Sequence, residues 1–313
     1  MTYGKKDLPF PYDQDFSGIV TRVKGIREAT RVALVNSPKV ASYLKAGANL
    51  IEQHFGGDDA ATAAAAESGR KPYWSGIRFL SERALSREME NLEPPFLRQK
   101  GDGPYRSTWA CHDDYLNDLL AFLFHDMNYD PQYNAEFETR GTWLIADGSF
   151  TDALDRAIYH ELQAICRMPL FRLQLLMVAT AHRNDGIHDA ISSNYDGALD
   201  PWKKIYEQTI AARGFQLRKG VTLDQFANML AAITEGFAIR NLGDPSSGVA
   251  GDGPAGNLAG LAVIAILNSC LEPAGAPSGK TLREAFEEIS ARARPADRDT
   301  EGEHTTDEFG GPT

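Results

Sequence analysis

Cysteine is scarce in this chain of 313 residues: Cys111, Cys166 and Cys270 are odd in number and widely spaced. That excludes a disulfide framework and a C-x-x-C metal knuckle, and leaves buried, inert thiols as the reading. Long apolar runs are also missing. The stretch Leu258 to Leu271 still contains Asn268 and Ser269 and falls short of the ~20 residues a bilayer span requires. The opening Met-Thr-Tyr-Gly-Lys-Lys-Asp-Leu-Pro-Phe lacks the apolar core of a secretory leader, so the expectation is a cytoplasmic protein with no membrane partner. Basic charge is in deficit, with 32 Lys and Arg against 43 Asp and Glu and a net charge of -11, which argues against a general nucleic-acid or membrane coat. The chain has no P-loop, no Rossmann glycine pattern, no G-x-S-x-G and no H-E-x-x-H. No catalytic residue, metal or cofactor is therefore assigned. Strand-like alternation and tandem repeats are absent too, and the expected fold is all-α.

What the chain does have is helical periodicity. A polar, proline-containing arm over 1–15 precedes a helical region over 16–67. In it, Ser37-Pro38 reads as a cap and first helical residue before Val40, Ala41, Leu44, Ala48, Ile51 and Phe55. Breaker-rich pieces over 68–108 read as a helical linker around a helix near 75–91. Residues 109–271 read as a helical bundle, with Ser149 capping one helix, Asp200-Pro201 opening another and Thr222-Leu223-Asp224-Gln225 forming a capping box. Residues 272–313 read as a mostly disordered tail with a short helix at 280–292.

Two groups of residues carry functional expectations. The segment 16–51 holds Arg22, Lys24, Arg27, Arg31, Lys39 and Lys45 against the single acid Glu28. Lys39, Ser42, Tyr43, Lys45, Asn49 and Gln53 supply the mix of cations and small or polar side chains that reads phosphates and base edges. The alternative is a solvated helix face. The rings of Trp143, Phe150, Phe171, Tyr195, Trp202 and Tyr206, spread over several helices, are either ordinary core or the lining of one ligand cavity. A weaker pattern, Cys111-His112-Asp113-Asp114 with His125-Asp126, has metal-ligand residue types, and His54 with Asp147 or Asp152 could complete a set. Its bland reading is an acid-capped helix start.

Residues 148–242 resemble the C-terminal sensor domain of the tetracycline-repressor (TetR) family. The likeness rests on Gly148-Ser149-Phe150-Thr151-Asp152-Ala153-Leu154, Met168-Pro169-Leu170-Phe171-Arg172-Leu173, Trp202-Lys203-Lys204-Ile205-Tyr206, Arg213-Gly214-Phe215-Gln216-Leu217-Arg218 and Ala232-Ile233-Thr234-Glu235-Gly236-Phe237, in that order. The resemblance implies a homodimer formed through Phe226, Leu230, Phe237, Leu258, Leu261, Ile264 and Leu267. It also implies an N-terminal helix-turn-helix in which Val40-Ala41 and Ile51-Glu52-Gln53-His54-Phe55 belong to successive helices. Lys45 replaces the turn glycine, with Gly47 two positions late, and Glu52 stands where a tyrosine is usual. The implied function is a transcriptional regulator that binds a near-palindromic operator through Arg22, Arg31, Lys39, Ser42, Tyr43, Lys45, Asn49, Gln53 and His54, and answers to a small apolar effector. Two alternatives stay open: a helical sensor or interaction protein that no longer binds DNA, and an all-α metal-dependent phosphohydrolase.

Overall fold

The computed structural model describes residues 5–24, 27–56, 78–99, 103–125, 128, 131–146, 148–179 and 181–293. Twelve helices and one two-stranded sheet make up the regular structure of these residues, so the fold is all-α as expected. The order is α1 (Glu28–Val35), α2 (Pro38–Phe55), α3 (Glu82–Met89), α4 (Gly103–Thr108), α5 (His112–Leu123), α6 (Pro131–Ile145), α7 (Phe150–Arg167), α8 (Pro169–Val178), α9 (Asp185–Ala212), β1 (Phe215–Leu217), α10 (Leu223–Gly243), α11 (Leu258–Cys270), β2 (Leu271–Pro273) and α12 (Leu282–Ala293).

Local capping places many of the ends. The Ser37 hydroxyl accepts from the Val40 N–H with Pro38 at the first helical position, and Ser149 accepts from Asp152 N–H. Both halves of the Thr222–Gln225 capping box form, at 3.1 and 3.0 Å. Gly214 takes φ +70° directly after α9, the left-handed conformation a glycine adopts without Cβ strain. Pro201 differs from expectation. It lies inside the single 28-residue helix α9 instead of starting a new one. The strands were not visible as alternation, because β1 pairs antiparallel with a partner 58 residues away, Phe215 opposite Pro273.

Helices α1 to α5 share one core with the start of the chain and with parts of α8 and α9. Leu8, Tyr12 and Phe16 are buried in it, so residues 5–15 are a packed segment and not a loose arm. Leu80, Leu85, Met89, Leu92 and Leu97 are buried in the same core, which makes 78–99 part of this body and not a linker. At its centre Trp109, Tyr115, Tyr43 and Tyr105 meet edge to face or tilted. Asp118, 1% exposed, accepts from the N–H groups of Thr21 and Arg22 and from the Trp109 indole.

The expected turn between two DNA-reading helices is absent. Helix α2 runs unbroken from Pro38 to Phe55, through Lys45 and Gly47. A Cβ at Gly47 would come within 2.5 Å of the Tyr115 hydroxyl and 2.6 Å of Leu119 Cδ2, so this glycine serves the close crossing of α2 over α5. Helices α6, α7, α9, α10 and α11 and the sheet surround a second core, and a third small one lies between α7, α8, α10 and α11. Arg172 on α8 ties the two bodies together by donating to the carbonyls of Phe55, at the end of α2, and Cys166. No helix of the described residues is long and apolar enough to cross a membrane. The tail from 294 onward, where disorder was expected, lies outside the described residues; the expected short helix is α12.

Candidate ligand cavity

A cavity of about 370 Å³ lies between the bodies, within the usual size of a small-molecule pocket. Its long wall is α9. Asn194, Tyr195, Ala198, Leu199, Trp202, Tyr206, Thr209 and Ile210 all line it, at spacings that keep them on one helical face. At about 1.5 Å per residue the sixteen-residue step from Asn194 to Ile210 covers roughly 24 Å, so the cavity is long and narrow.

The structure brings five of the six expected rings, Phe150, Phe171, Tyr195, Trp202 and Tyr206, to this one space. Trp202 stacks on Tyr206 at 5.5 Å, and Tyr206 meets Phe226 edge to face at 5.6 Å. Trp143 is the exception. It points away and packs under the Arg156 guanidinium, 3.8 Å from the ring centroid.

The interface residues divide. Phe226, Leu230 and Leu267 are buried within the protomer and line the cavity, so they are not available to a second chain. Phe237 and Ile264 are partly buried against neighbouring cores. Leu258 and Leu261 do face outward, 47% and 61% exposed. The sequence could not separate these, because α10 and α11 carry apolar residues on more than one face.

Polar groups punctuate the wall. On α8, Gln174 accepts from the Asn194 amide at 3.1 Å. On α7, Glu161 forms a buried ion pair with Arg140 at 2.9 Å. Thr209 lines the cavity and its hydroxyl has no hydrogen-bond partner among the described residues. Glu235 on α10 also lines it, and burial pushes its carboxyl above the ordinary glutamate range. Burial pushes the Tyr195 and Tyr206 hydroxyls up as well, with Glu235 and Glu161 respectively adding to the effect. Sequence reading missed Gln174, Thr209 and Glu235. Their one signal was a polar residue at helical spacing within an apolar stripe, such as Glu235 four residues after Ala231.

Most of the residues expected to read DNA have partners within the N-terminal body, although Gln53 and His54 remain exposed. Ser42 is fully buried and bonds the Pro38 carbonyl; Tyr43 is buried among rings. Asn49 and Gln53 both donate to Glu88 on α3, at 2.8 and 3.1 Å. His54 stacks on Phe79 at 4.0 Å. Lys45 sits over the Tyr12 ring, Lys39 reaches Ser107 and Arg31 pairs with Glu28. Arg22 is exposed. Among the possible metal ligands, His112 is engaged through Nδ1 with the Tyr105 hydroxyl at 2.6 Å. Asp126 and Asp147 lie outside the described residues, and no group of three or more His, Cys, Asp or Glu able to hold a metal gathers among the described ones.

No family model, curated protein or solved structure matches this chain.

Proposed function

We propose that the protein is a helical sensor that binds a small, largely apolar molecule in the cavity along α9, and that its N-terminal body is not a DNA reader. The observation that carries the reading is the convergence of Phe150, Phe171, Tyr195, Trp202 and Tyr206 on one cavity. Glu52, Leu123 and Phe124 of the first body line the same space as Leu230 and Val263 of the second. A ligand touching both bodies stabilises whichever arrangement of them it fits best, by its differential affinity.

Support for the loss of DNA reading is the unbroken helix α2 and the internal partners of Ser42, Tyr43, Asn49, Gln53 and His54. The protein acts as a homodimer in this reading. Met229 and Ile239 on α10 and Leu258 and Leu261 on α11 are exposed apolar residues on two helices that pack against each other.

The test is binding of the neutral fluorophore N-phenyl-1-naphthylamine to the full chain. Saturable enhancement is expected, and Ala198→Phe and Ala231→Phe, which fill the cavity from two helices, should reduce it at least tenfold. Enhancement that is unchanged in both folded variants would place binding elsewhere and sink the reading. Fluorescence anisotropy with DNA from the upstream region of its own gene, over 50–200 mM salt, should show no saturable, steeply salt-dependent binding. Sequence-selective binding there would restore the regulator.

A further inference from the structure

The cavity wall has a sign. Its ionisable side chains among the described residues are Glu52, Glu161, Glu235, His125 and the two tyrosines, with no lysine or arginine. Glu161 already has its cation in Arg140, and Glu52 is exposed on α2. Glu235 is different. No hydrogen bond or ion pair to it is formed by the described residues, and burial is the only cause acting on its carboxyl. A half-buried carboxylate without a counter-charge is costly, and a wall that retains one favours an occupant that supplies the charge.

The surroundings of Glu235 suit a cation that is also apolar. Tyr195 on α9 lines the same cavity as Glu235, with its hydroxyl hydrogen-bonded to Gln174. Phe171 lies one turn before Gln174 on α8, and both line the cavity with Tyr195. Aromatic faces attract an ammonium through their quadrupole, most strongly where water is excluded. The rest of the long cavity, through Trp202 and Tyr206 to Ile210, is apolar and takes a hydrocarbon or aryl tail.

We propose that the ligand is an elongated lipophilic cation whose ammonium group lies between Glu235 and the Tyr195 ring, with its tail along α9. The inference rests on the cavity reading above and adds the charge of the ligand to it. An anion would meet the unpaired Glu235, and a neutral molecule would leave it unpaired.

The test uses three probes of one shape: 5-phenylpentyl-trimethylammonium, its neutral isostere with a tert-butyl group in place of the trimethylammonium, and 6-phenylhexanoate. Each is titrated calorimetrically into the full chain at pH 7.5. The cation should bind at least tenfold tighter than the isostere, and the anion weakest. In Glu235→Gln, checked for fold by circular dichroism, the cation should lose that tenfold while the isostere stays within twofold. Equal binding of cation and isostere overturns the inference but leaves the cavity reading standing, provided Ala198→Phe blocks both. Preferred binding of the anion, or a cation preference that survives Glu235→Gln, overturns it as well. Failure of all three probes to bind overturns both. The wild-type comparison decides between the probes even if the variant does not fold.

Discussion

Trp109 donates its indole N–H to the carboxylate of Asp118 at 2.8 Å, in a core where Trp109 and Asp118 are each 1% exposed. The same carboxylate takes the backbone N–H groups of Thr21 and Arg22 at 2.8 and 2.9 Å. One acidic side chain on α5 thus holds both an aromatic ring and the extended segment before α1. Asp118→Ala leaves these donors buried without an acceptor and should lower unfolding stability by about 3 kcal/mol. Urea unfolding followed by tryptophan fluorescence measures it. A loss below about 0.5 kcal/mol would show that the segment is held by its apolar contacts alone.

Two carboxylates of this body respond to acid in opposite senses. Hydrogen bonds from the Ser17 hydroxyl, the Asn36 amide and the Ser17 N–H lower the Asp15 pKa from 3.8 to about 2. Its contribution is complete above 3.8 and is lost as pH falls toward about 2. Burial raises the Asp118 pKa despite its donors, so its folded form binds the proton more tightly and stability falls as pH rises from 3.8 through the raised value. Urea midpoints measured from neutral pH down to pH 2 should show a shallower acid loss for Asp15→Asn than for the wild type. An unchanged acid limb would remove Asp15 as a contributor.

Gly47 distinguishes a helix crossing from a turn. Adding a side chain there drives it into the Tyr115 hydroxyl and Leu119. Gly47→Val should cost about 1–3 kcal/mol by overpacking. The companion change Leu119→Ala should recover part of that loss in the double variant. A neutral or stabilising Gly47→Val would mean that α2 and α5 do not cross at this glycine.

Leu261 is the most exposed of the large apolar residues on α10 and α11, at 61%. A charge on that face should cost little in an isolated protomer and a great deal in an interface core. In the proposed homodimer, Leu261→Asp should give a monomer by light scattering, with thermal stability of the protomer retained. A dimeric mass in the variant would place the contact on another surface.

Much of the fold was legible because its signals are local. Ser37-Pro38, Ser149 and Thr222 with Gln225 mark helix starts through bonds between residues three apart, which any window of sequence displays. Most of the cavity aromatics were legible as well, since large rings repeated along helices crowd into the few spaces a bundle leaves. Gly47 was not. The family resemblance implied a turn near it, and nothing nearby reveals that Tyr115 and Leu119 need its missing side chain. Asn49, Gln53 and His54 suit a base-reading surface by chemical type, yet their partners Glu88 and Phe79 come from elements that fold back upon α2.

Composition and periodicity settled that the chain is helical, and short-range hydrogen bonding settled where many helices begin. Long-range packing alone decided which side of each helix is inside. On α10 and α11, apolar residues occupy more than one face, so Phe226, Leu230 and Leu267 could be assigned to a cavity and Leu258 and Leu261 to the outside only once α7 and α9 were in place. The same holds for Glu235. Its side chain is ordinary on a helix, and only the packing of α10 against α9 brought it, half-buried, to the wall of an aromatic-lined cavity.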